Sequence, residues 1–183
     1  MLMLPDTELG PLLLSRARDA IRQRLHDGSP LPGDPRLNGP GATFVTLTRD
    51  GDLRGCVGSV RAQRPLGEDV ATNAVAAATR DTRFEPVTRA ELNDLRVEVS
   101  LLSDPQFLEF ASEEELLHQL RPEVDGLMLF AGCRSAVFLP QVWAQLGEPA
   151  LYLAALKEKA GLPAGRRADD LMAAAFTVRK WKE

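Results

Sequence analysis

Residues 53–59 read Leu53-Arg54-Gly55-Cys56-Val57-Gly58-Ser59, and the rest of the chain is expected to build around them. An apolar-rich run, Ala42 to Thr48, precedes them, and an Asp-Gly step at residues 50–51 lies in between. Two β-prone runs joined through such a step predict a β-hairpin. Because side chains alternate faces along a strand, we expect Arg54 and Cys56 to share one face, about 6.6 Å apart.

Two glycines, at positions 55 and 58, flank this cysteine. Glycine weakens a strand, and it often marks a bulge or a place where another group comes close. We therefore interpret Gly55 and Gly58 as a space left open beside the thiol and the guanidinium. Together with Ser59, these glycines are candidate binding residues.

The composition is that of an ordinary folded domain. The chain has 183 residues, 44% hydrophobic and 26% charged, which is enough for one domain with a core and a small second lobe. The net charge of -4 argues against a whole-domain footprint for nucleic acid. Apolar runs fall short of the about 18 residues of a membrane span, and residues 1–10 lack the features of a signal peptide. With two cysteines, this predicts a cytoplasmic protein with free thiols.

Hydrophobic periodicity and capping signals predict the helices. We expect them over residues 8–27, about 67–80, just after 88, 113–120, 140–146 and 149–159. Gly28 ends the first helix. Thr88 with Glu91, and Ser112 with Glu115, have the spacing of a capping box.

Runs of β-prone residues predict the strands. We expect them at residues 42–48, 53–59, 95–103, 126–131, 135–139 and 174–181. Residues 28–41 are rich in proline and glycine and predict a surface loop, or a lid over a cleft. Hairpins interleaved with helices indicate an α+β fold with a mixed, mostly antiparallel sheet flanked by helices.

Cys56 has two interpretations. A free cysteine often behaves as a small buried hydrophobe. A neighbouring cation such as Arg54 instead favours the thiolate, which is the nucleophile. The two histidines, His26 and His118, lie among polar neighbours and are expected at the surface. The wide spacing of cysteines and histidines predicts no metal site.

Charged residues elsewhere are the remaining candidates. The segment at residues 80–86 holds Asp81, Arg83 and Phe84, and it is either a functional cluster or a solvated helix end. Glu98 lies inside a predicted strand, where an ion pair with an arginine is the default explanation.

Several further segments accompany the hairpin. They are residues 42–47 and 53–58, Arg64-Pro65-Leu66, Asp69-Val70-Ala71, Asn73-Ala74, residues 80–84, Glu98-Val99-Ser100, Asp125-Gly126-Leu127 and residues 138–143. Over nearly the whole chain they resemble the AMME chromosomal region protein family, whose bacterial form is called AmmeMemoRadiSam system protein A. Departures lie in the Pro/Gly loop, the turn at residues 132–134 and the region after Gly161.

The resemblance implies one domain over residues 1–183 with two sub-lobes, the second smaller, and a cleft lined by the Leu-Arg-Gly-Cys-Val-Gly signature. It also implies a genomic association with a radical SAM protein and a Memo-like protein, which are candidate partners. The family has no settled activity, and the resemblance names no cofactor.

Three functions stay open. In the first, the chain is an enzyme or enzyme component in which Cys56 is a nucleophile or substrate carrier. Arg54 would then stabilise the thiolate or bind an anion, and Glu98 or Asp81 would act in acid–base or orienting roles. The second is a non-catalytic module that binds a protein, peptide or small ligand, and Arg83 and Phe84 are candidate binding residues in either case. The third, an RNA-modification factor, is disfavoured by the acidic balance.

Overall fold

The structure, a computed structural model, describes residues 4–29, 31–163 and 167–183. The α-helices are α1 Asp6–His26, α2 Leu66–Thr79, α3 Glu113–Gln119, α4 Trp143–Leu146 and α5 Pro149–Lys159. The strands are β1 Pro40–Gly41, β2 Thr43–Arg49, β3 Asp52–Gly58, β4 Arg64–Pro65, β5 Leu95–Leu102, β6 Gln106–Leu108, β7 Gly126–Ala131, β8 Arg134–Phe138, β9 Met172–Phe176 and β10 Val178–Lys182. The predicted α+β class, with antiparallel sheets flanked by helices, is confirmed.

The chain divides into two compact units. Unit 1 comprises the residues up to Leu102 together with Arg179–Glu183, and unit 2 comprises Ser103–Val178. Across the described residues, no helix combines the length and apolarity needed to cross a membrane.

Unit 1 contains a four-stranded sheet in the order β10-β5-β2-β3. Strand β2 pairs antiparallel with both β3 and β5, so the predicted hairpin is confirmed. The register shifts after Leu47, which pairs with Gly55, whereas Thr48 pairs with Leu53. Arg54 is thus the extra residue of a β-bulge.

The core of unit 1 lies between this sheet and helices α1 and α2. The residues of β2 and β5 that face it, Val45, Leu47, Val97 and Val99, are fully buried. Helix α1 contributes Leu13, Ala17 and Ile21 at the spacing that keeps side chains on one helix face. The alternate residues of the strands and the residues on one face of α1 therefore pack together in one apolar layer.

Unit 2 contains the sheet β6-β9-β7-β8, packed against α3, α4 and α5. Its core includes Trp143 stacked on Tyr152, with ring centroids 3.7 Å apart. The indole nitrogen of Trp143 donates to the carbonyl oxygen of Asp125 at 2.6 Å. This satisfies the polar edge of a buried aromatic side chain.

Most predicted boundaries hold to within one or two residues, but the last stretch differs. Residues 174–181, predicted as one strand, belong to two strands that break at Thr177 and enter different sheets. The capping box of Thr88 with Glu91 is confirmed. In the second predicted box Ser112 caps α3 as expected, but the Glu115 carboxylate accepts from the backbone of Ala111.

Helix α2 comes so close to β3 that no side chain fits at Gly55. A Cβ built there would lie 2.1 Å from the backbone oxygen of Ala77. The helix face at this point consists of buried alanines, including Ala74 and Ala78, which permit the approach. The predicted close approach is right for Gly55, and the predicted open space beside it is wrong.

A buried carboxylate, Asp69, joins α2 to the hairpin. Its Oδ2 accepts from the backbone nitrogen and hydroxyl of Thr43, both at 2.8 Å, and from Asn73 Nδ2 at 2.9 Å. Its Oδ1 accepts from Ser59 Oγ at 2.7 Å and from Arg64 Nη2 at 2.9 Å. With the Asp69 side chain only 1% exposed, these donors replace the water that the charge has lost.

We expect Gly55→Ala to lower the free energy of unfolding by about 2–3 kcal/mol, because the methyl group must displace the backbone of α2. Urea denaturation measures this. Gly33→Ala is the matched control, since a Cβ at Gly33 meets nothing within 4 Å. Equal stability of the two variants would show that the backbone of α2 does not lie in close contact with β3 at Gly55.

We expect Asp69→Asn to lower the free energy of unfolding by about 3 kcal/mol. The amide nitrogen would face hydrogen-bond donors instead of acceptors, and Arg64 would lose its buried counter-ion. Asp52→Asn, at an exposed position of the same hairpin, is the control and should change stability little. If the two variants had the same unfolding midpoint, the structural role assigned to Asp69 would be wrong.

Candidate functional site

Cys56 lies half-buried on β3, the edge strand of the unit 1 sheet. It pairs with Thr46 of β2, whose hydroxyl donates to the Cys56 Sγ at 3.4 Å. Thr46 in turn pairs with Glu98 of β5. Three polar side chains thus form one row across the sheet.

The outer edge of β3 at Cys56 is completed by side chains instead of another strand. The Cys56 backbone nitrogen donates to Asp81 Oδ2 at 2.8 Å, and its carbonyl oxygen accepts from Arg83 Nη2 at 3.4 Å. Because both backbone groups point outward, the facing Thr46–Cys56 pair is of the type that is not hydrogen-bonded through the backbone, in which side chains approach closely. The segment after α2 therefore holds the thiol against Thr46.

Asp81 and Arg83 form a bidentate ion pair. Arg83 Nε and Nη2 donate to the two carboxylate oxygens at 2.9 and 2.7 Å. These bonds, together with the Cys56 backbone N–H, hold the pKa of Asp81 well below its usual range although burial opposes the shift. The carboxylate is 7% exposed and the guanidinium side chain 55%, so the positive partner faces outward.

Arg83 also contacts the backbone of Cys56, whose carbonyl oxygen accepts from its Nη2 at 3.4 Å. Its pKa is raised, mainly by the hydrogen bonds to Asp81, and attraction to Cys56 adds to the effect. The Phe84 ring centroid lies 5.5 Å from the guanidinium carbon, which places an aromatic face beside the charge. Arg83, and not the expected Arg54, is therefore the arginine that contacts Cys56, and it does so through the backbone carbonyl.

Arg54 is committed to other partners. Its Nε and Nη2 donate to the two carboxylate oxygens of Glu91 at 2.9 and 3.3 Å, and its Nη1 donates to the carbonyl of Glu85 at 2.8 Å. Chiefly through the bond from Arg54, the pKa of Glu91 falls to about 2, against the effect of burial. Arg54 therefore braces the segment after α2 against β3.

Glu98 shares the row of Cys56 but not its immediate surroundings. Its Oε1 lies 3.3 Å from Lys180 Nζ, so the expected arginine partner is wrong and a lysine of β10 takes its place. Two strand spacings, roughly 10 Å, separate the backbones of Glu98 and Cys56. A direct contact with the thiol is absent from the hydrogen bonds of the described residues.

The space predicted at Gly58 is filled. A Cβ built on Gly58 would lie 2.2 Å from the ring of Phe44, so the ring covers the glycine. Ser59 is turned to Asp69 and Arg64, where it serves the buried network. These two positions support the strand and do not open a path to the thiol, contrary to the expectation from sequence.

The remaining predicted residues lie where expected. His26, His118 and Cys133 are exposed, and both cysteines are free. Among the described residues, no three histidine, cysteine or acidic side chains group together as metal ligands. Sequence reasoning missed Thr46, because counting outward from the turn pairs it with Gly55, and only the bulge at Arg54 brings it opposite Cys56.

The chain is an α+β protein with antiparallel sheets, and a half-buried thiol lies on the edge strand of one of them. The AMMECR1 family model matches residues 14–181, and the chain belongs to this family, as the resemblance predicted.

Similar proteins occur in archaea. A protein of Methanothermobacter thermautotrophicus is 38% identical over 159 residues, covering 84% of this chain and 83% of its own. One of Aeropyrum pernix is 39% identical over 165 residues, covering 86% and 71%. The crystal structure of an uncharacterized protein from Pyrococcus horikoshii matches with a TM-score of 0.85 at 35% identity, covering 96% of this chain and 92% of that one.

We expect Glu91→Gln to weaken the acid dependence of stability. The pKa of Glu91 in the folded chain, about 2, lies below its ordinary value of 4.5, so its carboxylate stabilises the fold above about pH 4.5. This contribution is lost as the pH falls from about 4.5 to about 2.

Urea unfolding from neutral to acidic pH measures the effect. The variant should be less stable at neutral pH and should lose less stability than the parent over that interval. Glu85→Gln, an exposed carboxylate on the same segment, is the control. A Glu91→Gln acid branch identical to that of the parent would contradict the role of the Arg54–Glu91 pair.

Proposed function

We propose that the chain is an enzyme component that uses Cys56 as a nucleophile or transient substrate carrier, in the cytoplasm, together with radical SAM and Memo-like partner proteins. The observation that carries this is a half-buried thiol that accepts a hydrogen bond from the Thr46 hydroxyl, on a strand edge whose backbone at Cys56 is bonded to Asp81 and to the exposed Arg83.

The proposed step is attack of the Cys56 sulfur on an electrophilic carbon. The S–H bond breaks, an S–C bond forms, and the leaving group departs with its electron pair and takes up the proton. Arg83, whose side chain is 55% exposed, would bind a negatively charged group of the same substrate. The substrate class is therefore an anionic electrophile.

The proposed roles of the charged side chains near Cys56 follow from their ion pairs and positions. Asp81, with its pKa well below the usual range, stays a carboxylate and is a weak proton acceptor, so its proposed role is to position Cys56 and Arg83. Because roughly 10 Å separate the backbones of Glu98 and Cys56, Glu98 is kept as a candidate for proton transfer to a bound substrate and not to the thiol. Arg54 is assigned a bracing role through Glu91.

The alternative, a non-catalytic binding module, is favoured by a different observation. Hydrogen bonds within the protein occupy the polar groups of Asp81, Arg54 and Ser59. In this version the outward surface of Arg83 and Phe84 docks an acidic ligand or partner segment, and Cys56 only fills space. An RNA-modification role is the third candidate, and the net charge of -4 weighs against it.

Alkylation of the native protein tests the proposal. We expect iodoacetamide at neutral pH to label Cys56, with exposed Cys133 as the reference, both resolved by peptide mass spectrometry. Arg83→Ala should slow labelling of Cys56 about three- to tenfold by removing the cation, and Arg83→Lys should slow it less. The rate at Cys133 should not change.

Arg61→Ala, at an exposed arginine of the same unit, is the matched control and should leave both rates unchanged. If Cys56 reacts only on unfolding, the nucleophile assignment falls and the binding module stands. If a Cys56→Ser variant folds and still binds its partners but loses activity, the nucleophile assignment is supported. Unchanged activity in this variant would rule that assignment out.

A further inference from the structure

A groove of about 650 Å³ lies in unit 1, among α1, α2 and the segment formed by residues 28–29 and 31–38. Its apolar lining comes from three directions: Ala20 of α1, Ala71 and Val75 of α2, and Leu37 of the segment. This volume falls within the range of pockets that hold small molecules. None of these residues belongs to the proposed thiol site.

Three arginines line the same groove. Arg16 is fixed, because its Nε donates to the Gly67 carbonyl at 3.1 Å and its Nη1 to the Pro32 carbonyl at 2.5 Å. Arg24 and Arg80 are exposed, and neither forms an ion pair or a side-chain hydrogen bond with the residues that the structure describes. Two guanidinium groups are thus available at the margin of an apolar groove.

The acidic residues of the lining do not cancel this charge. Asp34 is already paired with Arg36, whose Nη2 lies 2.7 Å from its Oδ2. Glu68 is the other acid, and it is exposed on the first turn of α2. Three arginines against one uncommitted carboxylate leave the groove positive.

Helix ends explain part of this arrangement. Arg24 lies in the last turn of α1 and Arg80 follows the last residue of α2, where a cation complements the helix dipole. The dipoles do not explain why two helices end at one groove with an apolar floor. A ligand with an apolar body and an anionic head satisfies both parts of the lining.

We propose that this groove binds a small amphipathic anion, with a carboxylate or phosphate head between Arg24 and Arg80 and an apolar body on Ala20, Leu37, Ala71 and Val75. Guanidinium groups bind both head groups in bidentate fashion. The proposal is independent of Cys56 and of the function proposed for it.

Titration calorimetry with the full chain tests it, using octanoate, octyl phosphate and octanol as probes. Octanoate or octyl phosphate should bind at least about tenfold more tightly than octanol, the equivalent of one charge-assisted hydrogen bond. The tighter of the two anions identifies the head group. Octanol binding as tightly as both anions, or no binding by either anion, would overturn the proposal.

Two kinds of variant locate the site. Arg24→Gln and Arg80→Gln should each weaken anion binding about tenfold, whereas Arg61→Gln, with the same change in net charge, should not. Ala71→Phe fills the apolar floor and should abolish binding of the anion while Cys56 labelling stays unchanged. Circular dichroism checks that the variants fold, and unaltered binding in a folded Ala71→Phe chain would place the ligand elsewhere.

Discussion

The carboxylate of Asp69 is the constraint on which unit 1 depends. It accepts hydrogen bonds from the strand that begins the hairpin, from the residue that follows it and from its own helix. Its burial carries a desolvation cost that only the full set of donors offsets. The helix is therefore fixed along the sheet, which places Ala77 over Gly55 and lets Asp81 reach the backbone of Cys56.

Most helices and strands could be predicted from short-range patterns in the sequence. The Asp-Gly step, the helical repeat of α1 and the proline that opens α5 each act within a few residues, and each element formed where its signal lies. The capping box of Thr88 with Glu91 is of the same kind, although it closes a short 3-10 helix. Patterns of this range predict the type of an element better than its partner.

The candidate site depended on contacts that no local pattern contains. Counting outward from the turn pairs Thr46 with Gly55, and the bulge at Arg54 moves the pairing by one residue to Cys56. The guanidinium that contacts the Cys56 backbone comes from Arg83, well beyond the hairpin. A bulge and a crossing segment are set by packing between distant parts of the chain, so the sequence indicated the cysteine but not its neighbours.

Strand β10 has a consequence for how the protein is made. It completes the sheet of unit 1, yet it follows all of unit 2 in the chain. On the ribosome, the hairpin and its helices emerge early, but the sheet edge at β5 waits for a strand translated much later. Pairing across such a sequence separation slows folding, so the nascent first unit carries an open edge that chaperones, or a wrong strand, can occupy.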